Sequence, residues 1–217
     1  MSYDTAVPGA DVRERSTAQI LGQVMFLVAV AIGFMVAGTL IGRELSESTA
    51  RICSFVGLGM LICTWFVSAL RYGALGIGWL CGLSLLIGLG LGPVIGYLAE
   101  TDPGAITTAA GITALTVLGM AAIGFVIDKD TVRWMRPLSF VVLGAVVVSL
   151  GALIFGDLGA LSPVISVIIL VASALLILVD FNYIRKHATE NDVVWLATGI
   201  FVSIVNIFLS LLNLGSD

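Results

Sequence analysis

Uncharged, strongly apolar stretches recur seven times along the chain, at about residues 18–42, 52–70, 74–98, 105–127, 138–155, 160–180 and 193–213, the sixth ending in a single acid. Each is close to the roughly 20 residues that an α-helix needs to cross the hydrocarbon of a bilayer. The pattern predicts an all-α fold, a seven-transmembrane-helix bundle over residues 17–217. Ahead of it, residues 1–16 carry Pro, Gly, Asp and Arg without apolar periodicity and read as a flexible cytoplasmic tail. Short turns join the spans, among them Glu44-Leu45-Ser46-Glu47, Glu100-Thr101-Asp102-Pro103-Gly104 and Gly156-Asp157. They leave no room for an ectodomain or a second domain.

Orientation follows from the basic residues, because cytoplasmic loops retain positive charge. Eight of the ten Lys and Arg fall in the N-terminal tail and the second, fourth and sixth loops (Arg13, Arg15, Arg71, Lys129, Arg133, Arg136, Arg185, Lys186), and only Arg43 and Arg51 fall on the other side. The N-terminus is therefore expected in the cytoplasm and the C-terminus outside. A first apolar run of this length is longer than the 7–15 residues of a signal-peptide core, so a cleaved leader is not expected.

Composition removes several chemistries. The chain is 59% apolar and 11% charged, where a soluble domain is about half apolar and a quarter charged. A retinal Schiff base needs a lysine within a span, and Lys129 and Lys186 both lie in loops. His187 is the only histidine, which excludes bis-histidine haem and histidine-based zinc sites. Cys53, Cys63 and Cys81 show no C-x-x-C spacing and read as packing residues. A net charge of −4 and the lack of a basic stripe argue against a nucleic-acid partner. Gly82-Leu83-Ser84 has no histidine base in any span, so an intramembrane enzyme is not expected.

Few polar residues remain inside the spans. Asp180 is the one charged residue within an apolar run, and such a group ordinarily faces a cavity, a partner or an ion path. The bland alternative is a helix that simply emerges there, with its carboxylate solvated at the inner surface. Ser166, Ser173 and Asp180 recur every seven residues and so share a helix face. In the last span Gly199, Ser203, Asn206, Ser210 and Asn213 recur at alternating spacings of four and three, the seam of a packed helix. Consecutive helices are usually neighbours. The two stripes either line a narrow polar path ending at Asp180 or act as interhelical hydrogen-bond glue. Trp134 and Trp195 suit an aromatic belt, and His187 reads as a surface residue. The third span is rich in glycine (Gly78, Gly82, Gly88, Gly92, Gly96) and contains Pro93. Those residues serve close helix packing, with Gly92 and Pro93 as the candidate hinge.

Four segments in this order resemble the Bax inhibitor-1 family, also called the transmembrane Bax inhibitor motif family, and its bacterial members. They are the third-span run from Gly88 to Tyr97, the charged turn Asp128-Lys129-Asp130, Leu178-Val179-Asp180-Phe181-Asn182-Tyr183-Ile184, and Phe201 to Phe208 in the last span. The resemblance covers residues 18 to 213. It implies a seven-helix bundle with the last helix near its centre, placed in a bacterial plasma membrane. It further implies a passive, pH-sensitive calcium leak gated by paired aspartates on the last two helices. Asp180 fits the first aspartate, and Ser203 stands at the second. No arginine lies in the second span to act as the latch that some members use.

A lone carboxylate with hydroxyls and amides is a weak calcium site, since calcium takes 6–8 oxygens. The expected function is thus a calcium-conducting cation path with Asp180 as the metal-facing group, along Ser166, Ser173, Ser203, Asn206 and Ser210. No resident cofactor is expected, and calcium enters only as a transported ion. The second expectation is a non-conducting membrane interaction protein that modulates a membrane protease or stress and cell-death machinery. Its partners would be membrane proteins as well as the lipid bilayer.

Overall fold

A computed structural model describes residues 8–155 and 161–215. It contains α1 (Pro8–Gly42), α2 (Glu47–Phe66), α3 (Gly73–Thr101), α4 (Pro103–Val126), α5 (Met135–Phe155), α6 (Leu161–Lys186) and α7 (Val193–Gly215). Short 3-10 turns at Ser68–Arg71, Val132–Trp134 and Glu190–Asp192 lead into α3, α5 and α7. All seven long helices carry a stretch long and apolar enough to cross a membrane. Two boundaries differ from expectation, because charge opposes entry into hydrocarbon without opposing helical hydrogen bonding. First, α1 begins at Pro8, where proline's fixed φ suits the first helical position; part of the expected tail is therefore helix, and residues 1–7 lie outside the described residues. Second, α6 runs six residues past Asp180, so that acid does not close the helix. The expected turn at Gly156-Asp157 lies outside the described residues.

Local chemistry sets the helix ends. Ser46 caps α2 by accepting from the Thr49 amide at 3.3 Å. Asp102 caps α4 by accepting from Ala105 at 3.0 Å, with Pro103 as the first helical residue. Gly73, at φ +60°, makes the left-handed turn into α3 that a side chain would oppose. At its C-terminus α2 would leave orphan carbonyls. Arg71 folds back to meet them, donating from Nε to the Thr64 carbonyl at 2.8 Å and from a terminal nitrogen to that of Trp65 at 2.7 Å.

The bundle turns its large apolar side chains outward, as a lipid-facing surface requires. Phe26, Leu115, Leu118 and Val126 are all more than 60% exposed. Its core lies around α7, whose apolar stretch is 61% buried against 6% for that of α5. Leu196, Ile200, Phe201 and Ile207 of α7 are fully enclosed, packed with Ile177 of α6 and with Val24 and Val28 of α1. The last helix is therefore central, as expected.

The glycines of α3 are used for close approach. A Cβ added at Gly88 would fall on the Met35 carbonyl of α1, and one added at Gly92 would fall on the backbone of Gly42. Gly38 and Gly42 of α1 return the contact against Leu85 and Leu89 of α3. The Leu89 carbonyl, whose helical donor is removed by Pro93, faces Gly42. Backbones this close pack by van der Waals contact that a side chain at these glycines would hold apart, a usual way helices associate in lipid. The candidate hinge residues thus sit in a helix that continues through Pro93 and is tightly packed at Gly92. Replacing Gly88 with Leu is expected to destabilise the bundle by about 1–3 kcal/mol or more through overpacking. Gly78→Ala, at a position with no atom within 4 Å of the new Cβ, is expected to leave melting unchanged or slightly higher. Thermal melts of the two detergent-purified variants check the contrast.

Candidate functional site

Asp180 is 4% exposed, buried between α6 and α7, with its Oδ2 facing Gly199 of α7. A helix-end carboxylate in solvent is ruled out by that burial. The approach is close, since a Cβ at position 199 would sit in van der Waals contact with Oδ2 at 3.6 Å. The rest of its stripe is buried with it. Ser166, Ser173, Ser203 and Ser210 are all under 9% exposed, while Asn206 is half-buried and Asn213 is exposed. The two polar stripes do face each other.

Two cavities run along this seam. One, of about 400 Å³, lies toward the basic end of the bundle and is lined by Asp180, Ser203, Ser139, Arg71, Arg136 and Trp195 among others. The other, of about 410 Å³, lies toward the opposite end beside Ser54, Ser149, Ser162, Ser166, Ser210 and Asn213. They share Leu58, Leu61, Val146, Val202 and Asn206 as lining residues, so they meet end to end at an apolar ring with one amide in it. Asp180 and Ser203 therefore share a cavity, Ser166 and Ser210 share the next, and Asn206 belongs to both. Ser173 lines neither. Gly92 and Pro93 are also absent from both linings.

Hydrogen bonding differs along the seam. At the far end Asn213 donates to Ser166 at 2.9 Å and to Ser162 at 3.1 Å, joining α7 to α6. In the middle, Ser173 Oγ and Asn206 Nδ2 are buried without a partner. Such a donor costs about 1–3 kcal/mol unless something meets it, and at Asn206, which borders both cavities, water or a ligand can. Calcium would find one carboxylate here, since Asp180 is the one acidic residue among the described residues that line either cavity.

The basic end holds residues that sequence reasoning missed. Asn182 is fully buried and uses all of its amide, accepting from the Thr131 amide and hydroxyl at 3.2 and 3.0 Å and donating to the Gly124 and Ile127 carbonyls at 3.2 and 2.9 Å. Arg185 donates to the Phe125 carbonyl and, at 3.1 Å, to that of Ile127, and pairs with Asp128 at 3.2 Å. Lys186 donates to the Asp128 carbonyl. These α6 side chains satisfy the orphan carbonyls at the C-terminus of α4, where cations are also favoured by the helix dipole. His187, expected at the surface, is exposed there and meets Asp130 at 2.8 Å. The Val132 amide, then the His187 ring, hold the Asp130 carboxyl below its ordinary value of 3.8. Trp134 is exposed, as a belt residue would be, whereas Trp195 is half-buried and donates to Asp192 at 3.0 Å. The apolar part of α2 beyond Arg51 is uncharged, and Arg71 just after the helix lines the cavity of Asp180.

Seven apolar helices with a lipid-facing exterior and a polar seam along the central one define a polytopic integral membrane protein. The family model described as "Inhibitor of apoptosis-promoting Bax1" matches residues 17–216, and the chain belongs to this Bax inhibitor-1 family. It is 33% identical over 154 residues to an uncharacterized protein of Pseudomonas aeruginosa, covering 67% of this chain and 65% of that protein. It is also 36% identical over 124 residues to an uncharacterized protein of Deinococcus radiodurans, covering 54% of this chain and 53% of that one. The chain thus matches between about half and two thirds of the length of these relatives.

Asn182 generates a prediction. Asn182→Leu keeps the branched shape without a hydrogen-bonding atom and strands the Gly124 carbonyl and the Thr131 amide and hydroxyl, each costing about 1–3 kcal/mol where it stays buried, while the Ile127 carbonyl keeps Arg185. Melting should fall well below that of the parent, with α4 and the 127–131 loop gaining hydrogen exchange first. Parent-like protection of that loop would show that Asn182 does not hold it.

Proposed function

We propose that this protein is a passive cation pathway, with calcium as its cargo and Asp180 as the ion-facing group. The carrying observation is the pair of cavities that meet at Asn206 and follow the α6–α7 seam. Among the described residues, Asp180 is the one carboxylate lining either of them. It raises the local cation concentration in a low-dielectric setting. The Ser203 and Ser139 hydroxyls and the Asn206 amide oxygen add neutral ligands that can replace part of a hydration shell. The apolar ring of Leu58, Leu61, Val146 and Val202 closes the path against free flow, so conduction is slow and requires those walls to part. Protonating Asp180 removes the attraction, which makes the leak sensitive to pH. With Ser203 in place of a second acid, that response is a single titration instead of the coupled steps of a carboxylate pair, and calcium is held weakly.

The Asn213 bridge to Ser162 and Ser166 favours a second reading, in which the seam only fastens helices and the protein acts by binding another membrane protein.

The test is calcium influx into liposomes that contain the purified protein and a calcium dye. The parent should pass calcium down its gradient between pH 5 and 8. Asp180→Asn, equal in shape and without charge, should pass several-fold less while folding normally. Asn206→Leu, which makes the shared ring wholly apolar, should reduce flux comparably. No protein-dependent influx from the parent would remove the channel reading and leave the interaction protein.

A further inference from the structure

The cavity that contains Asp180 is lined by residues of both α2 and α5. Its two side walls are α2 and α5, which face each other across it with Leu61 and Trp65 on one side and Val142 and Leu143 on the other. The walls are bridged at the lipid-facing surface by the rings of Trp65 and Phe140, 5.0 Å apart and 40% and 60% exposed. The floor is α7. A groove with apolar sides between two weakly joined helices has the form of a site for an acyl chain.

Charge at the basic end is arranged in both signs. Arg136 is exposed at the mouth, and Arg71 lies beside it with its guanidinium held on the α2 carbonyls. Deeper in the same cavity Asp180 is 4% exposed and receives no hydrogen bond or ion pair from either arginine. Trp65, Tyr72 and Trp195 surround this end, the side chains that settle at the headgroup level of a membrane. Basic pockets between transmembrane helices bind lipid headgroups, but an anion alone would leave the buried carboxylate facing a like charge. A headgroup with an amine and a phosphate answers both.

We propose that this cavity is a binding site for an amine-bearing phospholipid of the surrounding bilayer. The primary ammonium meets Asp180 and the Ser203 hydroxyl, the phosphate meets Arg136 and Arg71, and one acyl chain lies between α2 and α5 along Leu58 and Leu61. The headgroup then supplies Asp180 with a counter-charge that no described side chain provides through an ion pair. Phosphatidylethanolamine fits, because its ammonium donates hydrogen bonds. Phosphatidylcholine has no N–H to donate, and phosphatidylglycerol has no amine. This inference does not rest on the conduction reading but uses the same carboxylate and apolar ring, so a bound headgroup and a passing cation compete for Asp180.

Native mass spectrometry of the detergent-purified full chain tests it, with each of the three lipids added in turn. Phosphatidylethanolamine should be retained several-fold more than phosphatidylcholine or phosphatidylglycerol. Asp180→Asn should remove that preference, and Arg136→Gln should lower retention of phosphatidylethanolamine and phosphatidylglycerol together. Leu61→Trp, which fills the groove and touches neither charge, should lower retention of all three. Equal retention of the three lipids by the parent would overturn the proposal. So would a phosphatidylethanolamine preference that survives Asp180→Asn, or retention undiminished in Leu61→Trp. Should Asp180→Asn fail to elute as folded protein, the parent's lipid ranking and the Leu61→Trp result decide the matter.

Discussion

A carboxylate buried in a bundle that hydrocarbon surrounds has to be met by something polar, and the placement of Asp180 sets much of the remaining architecture. Isolated in lipid it would cost several kcal/mol. Here it is enclosed by α6 and α7, faced by Gly199, and bordered by a cavity lined with Ser203, Ser139 and Arg71. That arrangement explains why the most buried helix of the molecule is also the one with a regular polar stripe. A central helix could have been uniformly apolar, and α7 is not.

Two rigid contacts frame the cavity and leave its third side open. On one flank the backbones of α1 and α3 touch through Gly38, Gly42, Gly88 and Gly92. On the other, Asn182, Arg185 and Lys186 tie the C-terminus of α4 and its following loop to α6. Between them α2 is fastened chiefly to α3, with Trp79 donating to the Thr64 hydroxyl at 3.0 Å, and reaches α5 through the Trp65–Phe140 ring pair. These ties join α1 to α3 and α4 to α6, and the boundary of the cavities between α2 and α5 is held by the ring pair. A gap there serves either a parting of the apolar ring or the entry of a lipid chain.

Much of this was legible in the chain. Seven apolar runs locate seven helices, and the alternating four-and-three spacing from Gly199 to Asn213 identifies the inner face of α7. What escaped was non-local. Asn182 and Arg185 read as ordinary polar residues after Asp180, because their partners at Gly124, Phe125, Ile127 and Thr131 lie more than 50 positions away. Cutting at charges also placed the end of α6 at Asp180, since that cut marks the edge of the apolar run, whereas hydrogen bonding carries the helix on to Lys186. Ser166 and Ser173 share a stripe, yet Ser166 borders a cavity and Ser173 does not. Periodicity fixes a face of a helix, and the neighbouring helices decide which part of that face is hollow.

The central claim is that the α6–α7 seam is a path approached separately from its two ends and closed at the level of Asn206. Side-specific cysteine labelling addresses it most directly, in a background where Cys53, Cys63 and Cys81 are replaced by alanine. Single cysteines at Ser203 and Ser210 would be exposed to a small, charged, membrane-impermeant thiol reagent added to one side of sealed liposomes of known protein orientation. Ser203→Cys should react from the basic side and Ser210→Cys from the opposite side. If neither reacts from either side, or if both react only once detergent opens the membrane, the seam is packed protein and no path runs along it.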